Sequence, residues 1–278
     1  MKFKMTSNIK VLMYHRVLPN EPDETTGWHY VTENQFRWQI HKIDMLGYTP
    51  ITFRDYKLGL EGELSLPRKP IILTFDDGYL DTSRYAVPIL EEKNMRAVIY
   101  VMGHKAGQVS LWDEGGRHSA CPLMSDEQIR SLDAAGHEIG SHCIQHRPLP
   151  ELSDEEIRHE LQESKQTLEK ILHRPVLSVS YPYGAVDHRV IRIAADSGYS
   201  FGCGVYTGPA EFALEPFDIR RIAVDHRSGP GSFLMKLLTP YEYAEWYYRR
   251  IVRQTTIERA GDNNGAQDHT EPIHESAS

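Results

Sequence analysis

The stretch IILTFDDGY, residues 71–79, decides the fold class of this 278-residue chain. Its apolar first half predicts a buried β-strand that ends at two adjacent carboxylates, Asp76 and Asp77, followed by a turn glycine. Two charges at the exit of a buried strand must be paired, hydrated or bound to a cation. The carboxyl ends of parallel strands are also where α/β enzymes carry their reactive groups. The structural alternative is that one aspartate caps the next helix while the other is a solvated turn residue.

On both sides of this stretch, short apolar runs alternate with amphipathic segments. Capping-box patterns at Thr32, Ser125 and Ser153 mark three predicted helix starts, and runs such as 48–53 and 97–101 predict strands. The alternation predicts a parallel α/β architecture, and repeated βα units with polar residues at the strand ends favour a distorted, TIM-like parallel (β/α) barrel of about seven strands. No GxGxxG or GxxxxGKS motif occurs, which disfavours the nucleotide-binding α/β folds.

Composition and charge exclude some classes of function. The net charge is -8 and no basic stripe is present to neutralise phosphates, so we expect no nucleic-acid partner. The three cysteines are widely spaced and form no CxxC pair, which indicates neither a disulfide framework nor a zinc ribbon. A reducing compartment is the simpler inference from this cysteine usage.

The ends of the sequence lead to expectations about location and domain boundaries. No apolar signal core precedes the first predicted strand, and no stretch is long and apolar enough to span a bilayer. We therefore expect a cytoplasmic protein without a transmembrane segment. Residues 1–260 are expected to form one domain, and the polar residues 261–278 a disordered tail.

His142 and His146 form an HxxxH pair just after a predicted strand. On a helical turn, residues i and i+4 project from one face, which is the spacing that two imidazoles need to bind one cation. With one carboxylate of the aspartate pair they would leave coordination positions open for water and substrate. A divalent metal there, with Zn²⁺ preferred, would acidify water and polarise a carbonyl, while the second aspartate acts as general base. The alternative is a pair of solvated loop histidines in a chain with 14 histidines.

A second turn motif, YPYG at residues 181–184, follows another predicted strand. Pro182 and Gly184 fix a tight turn that can point a backbone N–H into the site as an oxyanion donor. We also expect these two residues, together with Arg221, to contribute to substrate binding. An ordinary turn without a catalytic role is the alternative, because Pro-Tyr-Gly turns are common.

Taken in order, TFDDGY, SHxxxH and YPYG resemble the polysaccharide deacetylase family, whose domain is also called the NodB-homology domain and which is a carbohydrate esterase family. The resemblance covers about residues 9–224. It implies a distorted (β/α) barrel as the catalytic domain within residues 1–260, and metal-dependent hydrolysis of N-acetyl groups on amino sugars.

The resemblance also implies a role for each motif residue. By position, Asp76 would be the general base, and Asp77 would bind the metal together with His142 and His146. The backbone N–H of Tyr183 would stabilise the oxyanion.

The sequence departs from the family pattern in three places. Cys143 replaces a usual serine or threonine, which weakens one hydrogen bond near the metal but leaves both histidine ligands. Ser180 replaces the arginine that usually orients the base, and Arg220 or Arg221 near a late strand could substitute for it. The late Leu-x-His motif that supplies the general acid is missing, since His226 lacks its context.

His15 is the predicted replacement for that acid. It ends the strand LMYH, residues 12–15, and the first and last strands of a closed barrel are neighbours. A circularly permuted motif would therefore place His15 in the same site. The LMYH strand resembles the poly-N-acetylglucosamine deacetylases within the family. The alternative is a structural histidine at the end of a strand.

The predicted function is therefore metal-dependent removal of N-acetyl groups from an amino-sugar substrate, which is a polysaccharide, an oligosaccharide or a lipid- or nucleotide-linked sugar. Two alternatives remain. A metal-independent hydrolase of small amides or ureides could use the same barrel, although it should have lost His142 or His146. A catalytically inactive carbohydrate-binding relative is favoured by Ser180 and by the missing late histidine.

Overall fold

The computed structural model describes residues 9–20, 29–103, 107–110, 121–205 and 216–240. The tail predicted at 261–278 and the boundary predicted at residue 260 lie outside these residues, so both stay predictions. No helix within the described part of the chain is long and apolar enough to cross a membrane.

A curled parallel sheet forms the centre of the fold and confirms the predicted distorted (β/α) barrel. The main sheet has the order β10-β1-β5-β6-β7-β8-β9, with β4 also paired to β5, while β2 and β3 form a separate parallel pair. The strands of the described residues are β1 (Lys10–Tyr14), β2 (Arg16–Leu18), β3 (Tyr30–Thr32), β4 (Thr49–Pro50), β5 (Pro70–Phe75), β6 (Val98–Val101), β7 (Glu138–Ser141), β8 (Ser178–Ser180), β9 (Phe201–Cys203) and β10 (Ile222–Ala223).

Helices connect most of these strands and pack on the outside of the sheet. The α-helices of the described residues are α1 (Glu33–Met45), α2 (Phe53–Glu61), α3 (Val87–Glu91), α4 (Asp126–Ala134), α5 (Asp154–Leu172), α6 (His188–Asp196) and α7 (Pro230–Leu238). The capping boxes predicted at Thr32, Ser125 and Ser153 are confirmed at the starts of α1, α4 and α5.

One strand prediction is confirmed only in part. Within residues 48–53, Thr49–Pro50 forms β4 and the Ile51 N–H donates to the Ile71 carbonyl, but α2 begins at Phe53. The reason is a further capping box, in which the Thr52 hydroxyl accepts from the backbone N–H of Asp55 and the Asp55 carboxylate accepts from that of Thr52.

The first and last strands are neighbours, as the barrel prediction requires. Leu12 of β1 lies opposite Ile222 of β10, and β1 pairs with β5 on its other side. Ile219, just before β10, forms a parallel bridge to Cys203 of β9. The segment 219–223 therefore contacts both ends of the curled sheet.

Strand alternation determines which side chains enter the barrel. Ile72 packs with Val11 and Val98 in one apolar cluster, while its neighbours Ile71 and Leu73 pack in the other, larger cluster. Since side chains of a strand alternate between its two faces, positions 72, 74 and 76 share the inner face. The first aspartate of the pair is thereby directed into the barrel.

Candidate metal centre and active site

Asp76 lies at the carboxyl end of β5 and is almost fully buried, with 2% of its surface exposed. Its backbone N–H donates to the carbonyl of Tyr14, which continues the β1–β5 pairing by one residue. The Asp76 carboxylate is thus held at the top of the barrel interior, surrounded by polar groups of other strands.

Arg221 forms the main interaction of the Asp76 carboxylate. Its Nη1 donates to Oδ1 and its Nη2 to Oδ2, each at 2.7 Å, in a bidentate pair. The guanidinium also donates to Thr74 Oγ1 at 3.1 Å and to the Gly204 carbonyl at 2.9 Å. Arg221, rather than Arg220, therefore occupies the position from which a cation can orient Asp76.

Ser180 completes this arrangement. Its hydroxyl donates to Asp76 Oδ2 at 3.1 Å and accepts from Arg221 Nη2 at 2.9 Å. A serine at this position leaves room for a guanidinium that arrives from the segment before β10. Arg221 has no exposed surface, and its guanidinium is bound by Asp76 and Ser180. Its expected contribution to substrate binding stays a prediction.

The electrostatic environment keeps Asp76 ionised. Burial alone would raise the pKa of this carboxyl, but the charge and hydrogen bonds of Arg221 outweigh burial and lower the pKa below its usual range. The pKa of Arg221 is raised in turn, since Asp76 outweighs the cost of burying the guanidinium.

Asp77 faces a different set of neighbours. Its backbone adopts the left-handed conformation with φ of 72°, which turns its side chain away from the direction of Asp76. Asp77 Oδ1 lies 3.1 Å from His142 Nε2 and 3.4 Å from His146 Nε2. One ligand atom from each of these three buried residues lies within 4.8 Å of the others.

Two observations show that these residues fit a metal ion. His142 Nδ1 is 2.7 Å from the Ser180 carbonyl, so in the neutral ring Nδ1–H donates and Nε2 turns its lone pair toward Asp77. Asp77 Oδ1 is buried, and no group of the described residues donates a well-aligned hydrogen bond to it. Two ring nitrogens and a carboxylate oxygen within 4.8 Å of one another are a typical ligand set for a divalent cation.

The two histidines do not lie on a helical turn, contrary to the expectation from their spacing. They belong to a loop after β7, in which Cys143 has φ of 62° and His146 φ of 55°. The spacing is the same as in a helix, but the loop directs both rings at Asp77 through two left-handed residues. Cys143 itself is fully buried.

The turn at residues 181–184 is as tight as expected. Tyr183 has φ of 57° and half of its surface exposed, and its ring contacts the ring of His146 with centroids 4.6 Å apart. Gly184 has φ of 62°, and a Cβ there would lie 2.1 Å from Val205 Cγ2. Pro182 and Gly184 are buried, so they shape the turn while Tyr183 forms its exposed surface.

His15 follows β1 directly and lies next to Asp76 in the sheet register, because Tyr14 pairs with Phe75. Its ring is 4.7 Å from that of His29. Burial lowers the pKa of His15 more than the nearby Asp77 and Asp76 raise it. His15 is therefore neutral at rest near pH 7. His226, by contrast, stacks on Tyr30.

Sequence reasoning missed two residues of this site. Burial and the nearby charge of Asp77 raise the pKa of the Tyr79 phenol well above its ordinary value. Tyr79 ends the stretch 71–79, so its place in the sequence next to Asp76 and Asp77 could have indicated a role in the site. Glu160 of α5 accepts two hydrogen bonds from the loop between His142 and His146. No sequence motif distinguishes this glutamate.

Comparison with known proteins gives a consistent result. The family model described as polysaccharide deacetylase matches residues 64–202. The Bacillus subtilis protein YxkH, named after the same family, is 25% identical over 232 residues, which are 84% of this chain and 77% of that protein. The chitooligosaccharide deacetylase of Azorhizobium caulinodans is 25% identical over 209 residues, 71% of this chain and 88% of that protein.

A solved structure matches in fold as well as in sequence. The deacetylase PplD of Streptococcus pyogenes, determined in complex with acetate, is 27% identical and superimposes with a TM-score of 0.71. The match covers 84% of this chain and 99% of that one.

Proposed function

Because the chain belongs to the polysaccharide deacetylase family, we propose that it is a metal-dependent hydrolase that removes N-acetyl groups from an amino-sugar oligomer or polymer. One observation carries the proposal above all. Asp77, His142 and His146 direct three ligand atoms at one point, next to a second carboxylate whose own partners are a buried arginine and a serine.

The metal ligands in this proposal are Asp77, His142 and His146. A divalent cation bound there, most simply Zn²⁺, would polarise the acetamide carbonyl and acidify a water molecule. His142 is prepared for this role by its bond to the Ser180 carbonyl, which fixes the ring orientation and the tautomer. A set of two imidazoles and one carboxylate leaves positions open for water and substrate.

Asp76 is the proposed general base. Its Oδ2 accepts hydrogen bonds from Arg221 and Ser180, whereas Oδ1 accepts one, from Arg221. A carboxylate oxygen has two lone pairs, so Oδ1 keeps one with which to accept a proton from the attacking water. The lowered pKa of Asp76 ensures that the group is ionised at neutral pH when that water arrives.

The backbone N–H of Tyr183 and the imidazole of His15 complete the proposed mechanism. In this proposal the N–H stabilises the negative charge that develops on the carbonyl oxygen, and the support is that Tyr183 is half exposed and its ring contacts that of His146. His15 protonates the amine as the C–N bond breaks. Because its resting pKa is lowered, His15 takes up that proton during the cycle, and Asp76 at the neighbouring strand end is the group that has just acquired one.

The proposed substrate class is an oligosaccharide or polysaccharide that contains N-acetylglucosamine. Support comes from the Azorhizobium relative, which acts on chitooligosaccharides according to its name. The exposed ring of Tyr183 beside His146 offers an aromatic surface against which a pyranose ring can pack.

Metal titration combined with acetate measurement tests this function. Protein stripped by a chelator should release no acetate from chitooligosaccharides, and added Zn²⁺ should restore release. The Asp77→Asn variant should bind little metal and stay inactive. Acetate release that persists in stripped protein would favour the metal-independent amide hydrolase. Stoichiometric Zn²⁺ without acetate release from free, polymeric or lipid- or nucleotide-linked N-acetyl sugars would favour the inactive carbohydrate-binding relative.

A further inference from the structure

We infer that Glu160 of α5 is a positioning residue that holds the loop between the two histidines in its metal-binding shape. The inference rests on the proposed function, since it concerns the same metal site. Glu160 is not a ligand and does not belong to any of the motifs. Its carboxylate acts on the backbone between His142 and His146.

The contacts of Glu160 are specific. Its Oε2 accepts from the backbone N–H of Ile144 at 2.8 Å and from that of Gln145 at 3.0 Å. The side chain is buried, with 2% exposed. Two successive N–H groups that converge on one carboxylate oxygen form an anion-binding turn, and charge-assisted bonds of this kind are stronger than neutral ones.

The loop has need of such support. Cys143 and His146 both adopt left-handed backbone conformations, which cost free energy for any residue that has a Cβ. The turn places Ile144 and Gln145 between them, so the two N–H groups that Glu160 binds are those of the loop centre. Without the carboxylate, both donors would lose this partner, and the buried N–H of Ile144, left unpaired, would destabilise the conformation that buries it.

A second contact from the same helix face strengthens the inference. Ser164, four residues after Glu160, lies on the same side of α5 and shares a 2.8 Å hydrogen bond with Ser141 at the end of β7. The Ser141 hydroxyl in turn accepts from the Cys143 N–H at 3.3 Å. Glu160 and Ser164 thus fix two successive parts of the chain that carries His142.

Cys143 makes the role of Glu160 more important. A thiol is a weak hydrogen-bonding group, so this side chain contributes little to holding the loop. Its backbone is held on the other side, where its carbonyl accepts from the Gly103 N–H at 3.0 Å. Among the described residues, Glu160 is the charged side chain that hydrogen-bonds to the backbone of this loop.

The affinity for Zn²⁺ tests the inference directly. The affinity of chelator-stripped full-length protein is measured by competition with a chromophoric chelator, and the Co²⁺ absorption spectrum reports the ligand geometry. Glu160→Ala should weaken Zn²⁺ binding about 10- to 100-fold, as is typical when a group that orients metal ligands is lost. Glu160→Gln keeps an acceptor oxygen at the same reach and should recover most of the affinity.

The controls separate positioning from general stability. Glu155→Ala removes an exposed glutamate from the first turn of the same helix and should leave the affinity unchanged. If Glu160→Ala does not fold, Glu160→Asp keeps the charge but shortens the reach by one carbon, and it should show the loss instead.

Wild-type Zn²⁺ affinity and an unchanged Co²⁺ spectrum in a folded Glu160→Ala or Glu160→Asp protein would overturn the inference. The proposed function would be untouched by that result. Conversely, a wild-type protein that binds Zn²⁺ but releases no acetate would contradict the proposed function while leaving this comparison of affinities valid.

Discussion

Asp76 and Asp77 are neighbours in the sequence but have opposite surroundings. Asp76 points into the barrel and meets the permanent charge of Arg221 together with the Ser180 hydroxyl. Asp77 has φ of 72°, and its carboxylate lies beside the ring nitrogens of His142 and His146. A single left-handed residue thereby assigns two adjacent carboxylates to two environments.

The two environments differ in whether the protein itself supplies a positive charge to the carboxylate. The partners of Asp76 already supply a full positive charge, so this carboxylate is neutralised by the protein itself. Neutral imidazoles supply lone pairs and no charge, so in the proposed function a divalent cation would balance the carboxylate of Asp77. The pKa of Asp76 is lowered against burial by Arg221.

Asp76→Asn should distinguish the roles of the two carboxylates with the largest effect. The amide cannot accept a proton from water, so we expect the rate of deacetylation to fall about 10²–10⁴-fold. Zn²⁺ content should stay at the wild-type level, because the three ligands are untouched. The matched change, Asp77→Asn, should lose metal and activity together. Full activity of Asp76→Asn, or loss of its metal, would contradict the assignment of base and ligand.

Arg221→Met should destabilise the fold, since it leaves a buried carboxylate without its cation. Removing one partner of a buried ion pair costs about 3–5 kcal/mol of unfolding free energy. Urea denaturation of the metal-stripped protein measures this cost. Arg220→Met is the control, because Arg220 pairs with Asp218 at a partly exposed position and should cost less than about 1 kcal/mol.

The loss in Arg221→Met should also depend on pH. In the wild type the folded-state pKa of Asp76 is lowered, so its stabilising contribution is present at neutral pH and is lost as pH falls through that pKa. In the variant, burial without the cation raises the pKa, so protonation relieves the penalty as pH falls. The difference in unfolding free energy between the wild type and Arg221→Met should therefore become smaller from neutral pH toward about pH 4. A constant gap would mean that Arg221 acts through packing alone.

His15→Gln should have a smaller effect than Asp76→Asn. A lost general acid lowers the rate about 10²-fold at the low end of the usual range, because water can still protonate the departing amine. The loss should appear in kcat and leave KM nearly unchanged, since protonation of the amine belongs to the transition state. His226→Gln, which removes the ring stacked on Tyr30, should keep wild-type activity. A large loss in His226→Gln with none in His15→Gln would exchange the two assignments.

The parts of the site that follow from local sequence could be predicted. The run 71–75 is apolar apart from Thr74, so both the strand and the position of Asp76 and Asp77 at its end were evident. The capping boxes at Thr32, Ser125 and Ser153 each depend on residues three positions apart and were equally clear.

What depends on long-range register could not be read in this way. Arg220 and Arg221 are equivalent in sequence, and only the inward direction of one of two successive side chains selects Arg221. The HxxxH spacing suits a helical turn and this loop equally, so the left-handed residues Cys143 and His146 were invisible. Glu160 is one glutamate among several on α5, and its role appears only when the loop packs against it.

Ser180→Ala should give the smallest effect and sharpens the description of the Asp76 environment. The hydroxyl contributes one hydrogen bond to Asp76 Oδ2 and one from Arg221, while the bidentate pair remains without it. We expect a loss of about 1 kcal/mol in stability and a few-fold loss in rate. The backbone carbonyl that orients His142 is unchanged by the substitution, so Zn²⁺ affinity should be unaltered.

Ser178→Ala is the matched control, because Ser178 lies two residues earlier on β8 and donates to buried Glu138 at 3.2 Å instead of to Asp76. Its removal should cost a similar amount of stability without any change in rate. A rate loss of the same size in both variants would show that the hydroxyl of Ser180 acts on the packing of the barrel. A loss confined to Ser180→Ala would show that the hydroxyl acts on the carboxylate of Asp76, which it then orients together with Arg221.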